Sequence, residues 1–526
     1  MKMRDHKKKV IQTIRAIVMG VSVLALAELA RGWPEPKVFS APDATQALFH
    51  AAGGGADGAS SESPISNDET VEVEKSTAVM KTSRPWQPPD YSHQQGAMGW
   101  SPDVFRVPPT MQDRVNFWKY VYTQITTDQG ILHDSQLVSV IYDHIDFPAN
   151  SSRRERRKIV MERKKLVRAR LMKLDRFYVA YRKTGVMPKL DGEDLRVWNL
   201  FSVVDSPHKF RDATMRKRLR FQLGQRDRFI QGIYYSGRYL PDMERVFRAD
   251  GLPIELTRLP FVESSFNVKA RSRVGASGVW QFMRYTGRRF LRIRYLTDER
   301  NDPVRATEAA AKLFRINYEM LGSWPLAITG YNHGPSGMLK IIRRYHTRDI
   351  SDLVDERYGR FGFASANFYA CFLAALEVEA NAPKYFGSVY WEAPLDAKEI
   401  RLTRAINRKW LLRWFDGDLQ AAQEYNPHLQ RPFWLGYGQI GRRDFVRVPS
   451  SRYDLAMQDL KTLPVVHDSG HKKDIDTYVI ERGETLSGIA AELGVRVSIL
   501  RALNNIENPR RLHPGQKLLV PVAKEE

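Results

Sequence analysis

The sequence predicts a mainly α protein that ends in a small unit mixing strand and helix. Three observations carry this. Beyond residue 107, NFWKYVYTQI, DSQLVSVIYDHI and RRERRKIVMERKKLVRARLMKLDRFYVAYRKTG place apolar residues three and four apart, the helical period. From 215 to 383 the pattern continues through RATEAAAKLFRINYEMLG and NFYACFLAALEVEANAP, which end near Gly or Pro, without sustained strand alternation. Residues 478–521 then run as strand, Gly-Glu-Thr-Leu turn, helix, helix and strand, a βααβ order.

At 526 residues the chain has room for several units of about 100–200 residues each. Its 82 Lys+Arg against 60 Asp+Glu leave +22, which attracts polyanions without choosing among them. The single cysteine, Cys371, excludes a disulfide framework and any multi-cysteine metal site, and no metal or cofactor is expected.

The cationic start MKMRDHKKK and the apolar run AIVMGVSVLALA, closing on Ala25-Leu26-Ala27, make residues 1–27 a signal peptide. The second reading is an uncleaved N-terminal anchor, if residues 10–14 join the apolar stretch. Either way the rest of the chain is expected to be exported, where nucleic acid is not an expected partner. Residues 28–105, rich in Pro, Gly, Ser and Ala, read as a disordered tether. Residues 106–240 read as a helical N-terminal region. Its very basic segment is a solvated helix face, or else lies against an anionic polymer or membrane surface.

The candidate chemistry begins at ELTRLPFVESSFN, where Leu256, Leu259, Phe261 and Val262 surround the carboxylate of Glu263. An apolar setting raises a carboxyl pKa, as a general acid at neutral pH requires. A glutamate paired with a nearby arginine is the plainer reading of that segment alone. The small-residue turn ARSRVGASG follows, then VWQFM with its one amide, and some fifty residues later WPLAITGYNHGPSG brings Tyr331 and Asn332. A phenol and two amides near one acid suit a cleft that hydrogen-bonds sugar hydroxyl and acetamido groups.

The blocks LPFVESSFN, RSRVGASGVWQFM and AITGYNHG closely resemble the goose-lysozyme-like catalytic domain of the family 1 lytic transglycosylases, in order and spacing, from 256 to 383. The resemblance implies a lysozyme-like α-helical catalytic domain over 241–388, with Glu263 as sole acid/base. It further implies Ser264, Ser272, Gln281, Met283, Tyr331 and Asn332 as substrate-binding residues. Gly330 and His333 replace the family's alanines and Val279 its common leucine. The implied reaction is non-hydrolytic cleavage of the β-1,4 bond between N-acetylmuramic acid and N-acetylglucosamine. In it Glu263 protonates the leaving oxygen, the substrate's acetamido group stabilises the cationic centre, and Glu263 takes the C6 hydroxyl proton as a 1,6-anhydro ring closes. A hydrolase would need a second carboxylate, for which Asp298, Glu299 and Asp302 are candidates, although DERNDP reads as a loop and helix start. A wall-binding scaffold without catalysis is the rival from the binding class.

The C-terminal unit, 476–522, resembles a LysM module over its full length. That implies binding of N-acetylglucosamine-containing glycans through Gly483, Glu484, Thr485 and Leu486 in one loop and Asn508, Pro509 and Arg510 in another. Thr485 serves equally well as a helix cap. Residues 389–466 repeat the outline loosely, with Tyr425-Asn426-Pro427 and Val448-Pro449 where a LysM has its Asn and closing Pro, and read as a degenerate LysM-like unit. Peptidoglycan glycan strands are the expected partner, in the periplasm or cell envelope. The lipidated cysteine of membrane-bound family members has no counterpart near the start. Any contact with the inner-membrane surface is therefore expected through an uncleaved N-terminal segment or basic residues.

Overall fold

The computed structural model describes residues 84–85, 105–463 and 475–521, except positions 216, 273, 357, 358, 360, 482, 494, 505, 507, 510 and 511. The expected leader, 1–27, and nearly all of the expected tether, 28–105, lie outside the described residues. Helix dominates, as the apolar spacing predicts.

Helix α1 (Gln112–Thr123) buries Val115, Trp118, Val121 and Tyr122. The chain then leaves this core for an insertion: β1 (Gln129–Asp134), β2 (Ile141–Asp146), α2 (Arg153–Thr184), α3 (Gly192–Leu200), α4 (Lys209–Ala213) and β3 (Leu219–Leu223). Its three strands pair antiparallel with β1 in the middle, and Leu132, Tyr142, Leu171, Leu174, Trp198 and Phe210 form its own core. Two expectations are corrected here. DSQLVSVIYDHI is not helical where it meets β2, and the stretch after 215 does contain a strand, β3. Both runs are short, six and five residues, and a run of four to eight residues satisfies either period until a partner strand supplies the ladder. The basic helix α2 forms as expected. Ser152 and Glu155 close a capping box at its start, and Gly185 ends it in the left-handed region at φ 70°.

The main core resumes with α5 (Arg226–Ser236), α6 (Leu240–Ala249), α7 (Leu259–Glu263), α8 (Pro303–Leu321), α9 (Trp324–His333), α10 (Pro335–Tyr345) and α11 (Phe363–Ala380). Asp302 caps α8 through the Arg305 amide and Gly322 terminates it at φ 81°. Helix α11 is apolar on nearly every face, so it can be stable only when surrounded. Met111, Trp118 and Tyr122 belong to the same core cluster as Leu259, Phe261, Trp280 and Phe372. The core therefore runs without a break across the expected boundary at 240/241.

A third core gathers β4 (Ala397–Arg401), α12 (Arg408–Arg413), α13 (Leu419–Tyr425), β5 (Phe445–Pro449) and α14 (Tyr453–Thr462) around Trp414, Phe433 and Val446. A fourth is built by β6 (Ile475–Val479), α15 (Leu486–Glu492), α16 (Val497–Asn504) and β7 (Lys517–Pro521) around Ile489, Leu500 and Leu518. In each, the first and last strands pair antiparallel; the fourth has the βααβ order expected from sequence, and the third adds a short helix, Arg431–Trp434, before its closing strand.

Candidate active site

Glu263 is the last residue of α7, whose Leu259, Pro260, Phe261 and Val262 are all buried. The helix stops there because Ser265 and Phe266 take φ of 50° and 56°, each costing on the order of 1 kcal/mol, which the surrounding core sustains. Burial in this apolar wall raises the Glu263 carboxyl to about 8. Among the described residues no counter-ion offsets that rise, so the side chain carries a proton at neutral pH. It is a donor of the strength general acid catalysis requires.

Tyr331 comes from α9. Its hydroxyl donates to the Trp280 carbonyl at 2.8 Å, and its ring stacks on Phe314 with centroids 5.1 Å apart. Burial, and then the neighbouring Glu263 carboxyl, push the phenol pKa up, so it stays protonated. Ser264 acts on the adjacent peptide, donating to the Val279 carbonyl at 2.8 Å. Two consecutive carbonyls are thus gripped from α7 on one side and α9 on the other, which sets the acid and the phenol over one strip of backbone.

That strip belongs to a loop with little freedom. Ser272 Oγ accepts from the Ala276 amide at 2.9 Å. Gln281, itself at φ 48°, donates Nε2 to the Gly278 carbonyl at 2.8 Å and to Ala270 at 3.2 Å. Gly278 has φ 78°, and a Cβ there would lie 1.8 Å from the Arg300 carbonyl oxygen. Arg300 in turn donates Nη1 to the carbonyls of Gly275 at 2.7 Å and Phe282 at 3.0 Å.

The structure therefore brings Glu263, Ser264, Gln281 and Tyr331 to one strip, with Ser272 in the loop wall and half-buried Met283 following it. Ser264 is 2% exposed and Gln281 8% exposed, so in this state both brace the loop instead of facing solvent. Asn332 turns to Ser365 on α11, accepting its hydroxyl at 3.0 Å, and His333 meets the same hydroxyl at 3.3 Å. The residues not anticipated as part of the site are Arg300 and Cys371. Arg300 sits in DERNDP, read as a loop and helix start whose carboxylates, not its arginine, are the candidates. Buried Cys371 lies close enough to Glu263 to feel its charge, and burial pushes its thiol pKa up.

The three carboxylates that could have supplied a second catalytic group are engaged elsewhere. Asp298 pairs with Arg300 at 2.7 Å, Glu299 with Arg292 at 2.8 Å, and Asp302 with Arg447. Among the described residues no group of His, Cys, Asp and Glu is placed to hold a metal ion, and no helix is long and apolar enough to cross a membrane.

The transglycosylase SLT domain family matches residues 248–354, spanning Glu263, the loop and Tyr331, and the LysM domain family matches 478–521. The chain carries an SLT domain and a LysM domain. It is also 25% identical over 289 residues to the membrane-bound lytic murein transglycosylase D of Escherichia coli (strain K12), an alignment covering 51% of this chain and 60% of that relative. To the N-acetylmuramoyl-L-alanine amidase XlyA of Bacillus subtilis (strain 168) it is 46% identical over 52 residues, 10% of this chain and 18% of that one.

Within the LysM domain the expected glycan residues divide by environment. Gly483 sits at φ 94°, the left-handed conformation its turn requires. Glu484 accepts from the Glu481 amide at 2.5 Å and from the Tyr478 hydroxyl, folding the loop back on itself. Thr485 caps α15 through the Gly488 amide at 3.1 Å. Leu486 is buried in the core and offers no face to a sugar, which corrects its assignment. Asn508 and Pro509 are exposed, while Arg510 lies outside the described residues.

Proposed function

We propose that the protein is a peptidoglycan lytic transglycosylase, cleaving the β-1,4 bond between N-acetylmuramic acid and N-acetylglucosamine without water and leaving 1,6-anhydro ends, in cell-wall turnover or remodelling. The observation that carries this is the lone carboxyl of Glu263, raised to about 8 by burial, with Tyr331 beside it. Glu263 first donates its proton to the leaving glycosidic oxygen. The substrate's acetamido group stabilises the cationic centre in place of a second carboxylate. Glu263, now anionic and strongly basic in its apolar wall, then removes the C6 hydroxyl proton as the ring closes. The SLT match and the relative's name support this reading, and the engagement of Asp298, Glu299 and Asp302 with arginines speaks against a hydrolase. Ser272, Gln281, Met283, Tyr331 and Asn332 line or shape the sugar subsites, Ser264 braces them, and the LysM domain holds glycan strands through loops 483–485 and 508–510.

The site of action is the cell envelope, reached by export. The leader-like residues 1–27 support this, as does the membrane-bound relative. Digestion of isolated sacculi followed by mass spectrometry tests the reaction. Anhydro-muramyl products that vanish in Glu263→Gln are expected, whereas reducing ends, or cleavage that survives the substitution, overturn it.

A further inference from the structure

The unit at 397–449 repeats the layout of the LysM domain in detail that its sequence barely shows. Strands β4 and β5 pair from Ala397↔Pro449 to Arg401↔Phe445, as β6 and β7 pair from Ile475↔Pro521 to Val479↔Lys517. Each first helix starts from a side-chain cap, Asn407 in one and Thr485 in the other. Each second helix leads to an asparagine that clamps the closing strand two residues before its proline. Asn426 donates to the Arg447 carbonyl at 2.8 Å and accepts from the Arg447 amide at 2.7 Å. Asn504 does the same to Leu519, at 2.8 Å and 2.6 Å. Each clamp also donates to the carbonyl four residues back, Ala422 at 3.1 Å and Leu500 at 2.9 Å. Reciprocal pairing of one side-chain amide with both polar groups of a strand residue is geometrically demanding, so its double occurrence marks one fold used twice.

The loops that would face a sugar have gone elsewhere. In the 397–449 unit they bond to each other, Ile406 and Ile440 exchanging amide hydrogen bonds at 2.8 Å and 3.0 Å. The second loop then presses against the SLT domain. The Asp298 amide donates to the His428 carbonyl at 2.7 Å, the Gln430 amide to the Leu296 carbonyl at 2.8 Å, and Arg271 Nη2 to Gln430 Oε1 at 2.9 Å. Beneath it Arg447 pairs with Asp302 and, at 3.1 Å, with Glu399. The segment from Leu296 to Asp302 is thus held on one side by this unit. On its other side Arg300 grips the Gly275 and Phe282 carbonyls, and Asn301 Oδ1 accepts the Ser277 hydroxyl at 2.6 Å.

We infer that residues 397–449 are a second LysM-type unit whose sugar-facing loops have become a brace for the active-site loop, with Gln430 as a positioning residue and no glycan site of its own. The effect on cleavage rests on the proposed transglycosylase activity, while the brace itself does not. In the full chain, Gln430→Ala removes the bond to Arg271. Hydrogen exchange of the amides across 272–282 should then quicken about fivefold, while α11 is unaffected and the melting temperature holds. Gln430→Glu, which restores an acceptor for the guanidinium, should return exchange to the wild-type rate. The KM for soluble glycan should rise about threefold in Gln430→Ala with kcat less affected, as loosened substrate contacts predict. Titration of the full chain with N-acetylglucosamine oligomers should find no site beyond the Glu263 cleft and the LysM domain. Unchanged exchange across 272–282 in Gln430→Ala overturns the brace, and a third glycan site, within 397–449, overturns the loss of binding. Faster loop exchange in a chain whose wild type cleaves no glycan would uphold the brace and sink the reaction.

Discussion

Glu263 holds its proton because the apolar end of α7 penalises the charged form, and that preference is measurable in two ways. Its carboxyl titrates at about 8 folded against 4.5 for an unperturbed glutamate, so the folded state binds the proton more tightly. The stability this confers is complete below the unfolded value and is lost as pH rises toward about 8, at no more than about 1.4 kcal/mol per pH unit. Glu263→Gln does not titrate, so in urea unfolding it should gain stability relative to wild type as pH rises from about 5 to about 8. An unchanged difference across that range would mean the carboxyl is hydrated. Cleavage by the wild type should correspondingly decline above about pH 8, as the acid form is depleted.

At the scale of elements, the active-site loop and the asparagine clamp make separate demands. Gly278 combines a positive φ with contact against the Arg300 carbonyl, so Gly278→Ala must displace either its own loop or the arginine frame. A loss of about 2–4 kcal/mol in denaturant unfolding of the SLT domain is expected, with most cleavage activity lost as Gly275 and Phe282 shift. The clamp at Asn504 holds β7 through two hydrogen bonds and α16 through a third. Asn504→Ala leaves the Leu519 amide and carbonyl without that partner, which should cost about 1–3 kcal/mol in the LysM domain and weaken retention on sacculi. Cleavage of soluble glycan should be untouched.

At the scale of the whole molecule, the contact between the SLT domain and the 397–449 unit joins Leu296 to that unit's apolar core, adds polar pairs, and carries a buried histidine. His428 stacks on Phe445 at 4.2 Å between ring centroids, and its Nε2 meets the Phe445 carbonyl at 3.0 Å. Burial pushes its pKa down from 6.5 to about 4, with Arg447 reinforcing the shift and Asp302 opposing it. The neutral ring is therefore the stable form in the contact. Its contribution is present above about 6.5 and is lost as pH falls toward about 4. Unfolding midpoints of the full chain should drop over that interval, and His428→Gln, which cannot titrate there, should show a shallower drop. Equal slopes would place the acid sensitivity elsewhere.

Much of the architecture is legible in the chain because local patterns sufficed. The helical spacing of α1, α2 and α8 and the βααβ order of the C-terminal unit follow from short-range periodicity and turn signals. Glu263 and Tyr331 stand out for a similar reason, since an acid among apolar residues and a Tyr-Asn pair before a glycine turn are compact signals. Strands β2 and β3 were not legible, because a short strand is defined by its partner across the ladder. Nor was the role of Gln281, whose amide meets carbonyls that only folding brings near. What the sequence determined by itself was the chemistry on offer: one acid without a matched second carboxylate, a LysM module, and a net positive charge. The tertiary structure alone decided how that acid is kept protonated, because desolvation depends on walls from distant helices. It also decided that the LysM-like loops face inward, because their partners at Leu296, Asp298 and Arg271 lie more than a hundred residues away along the chain.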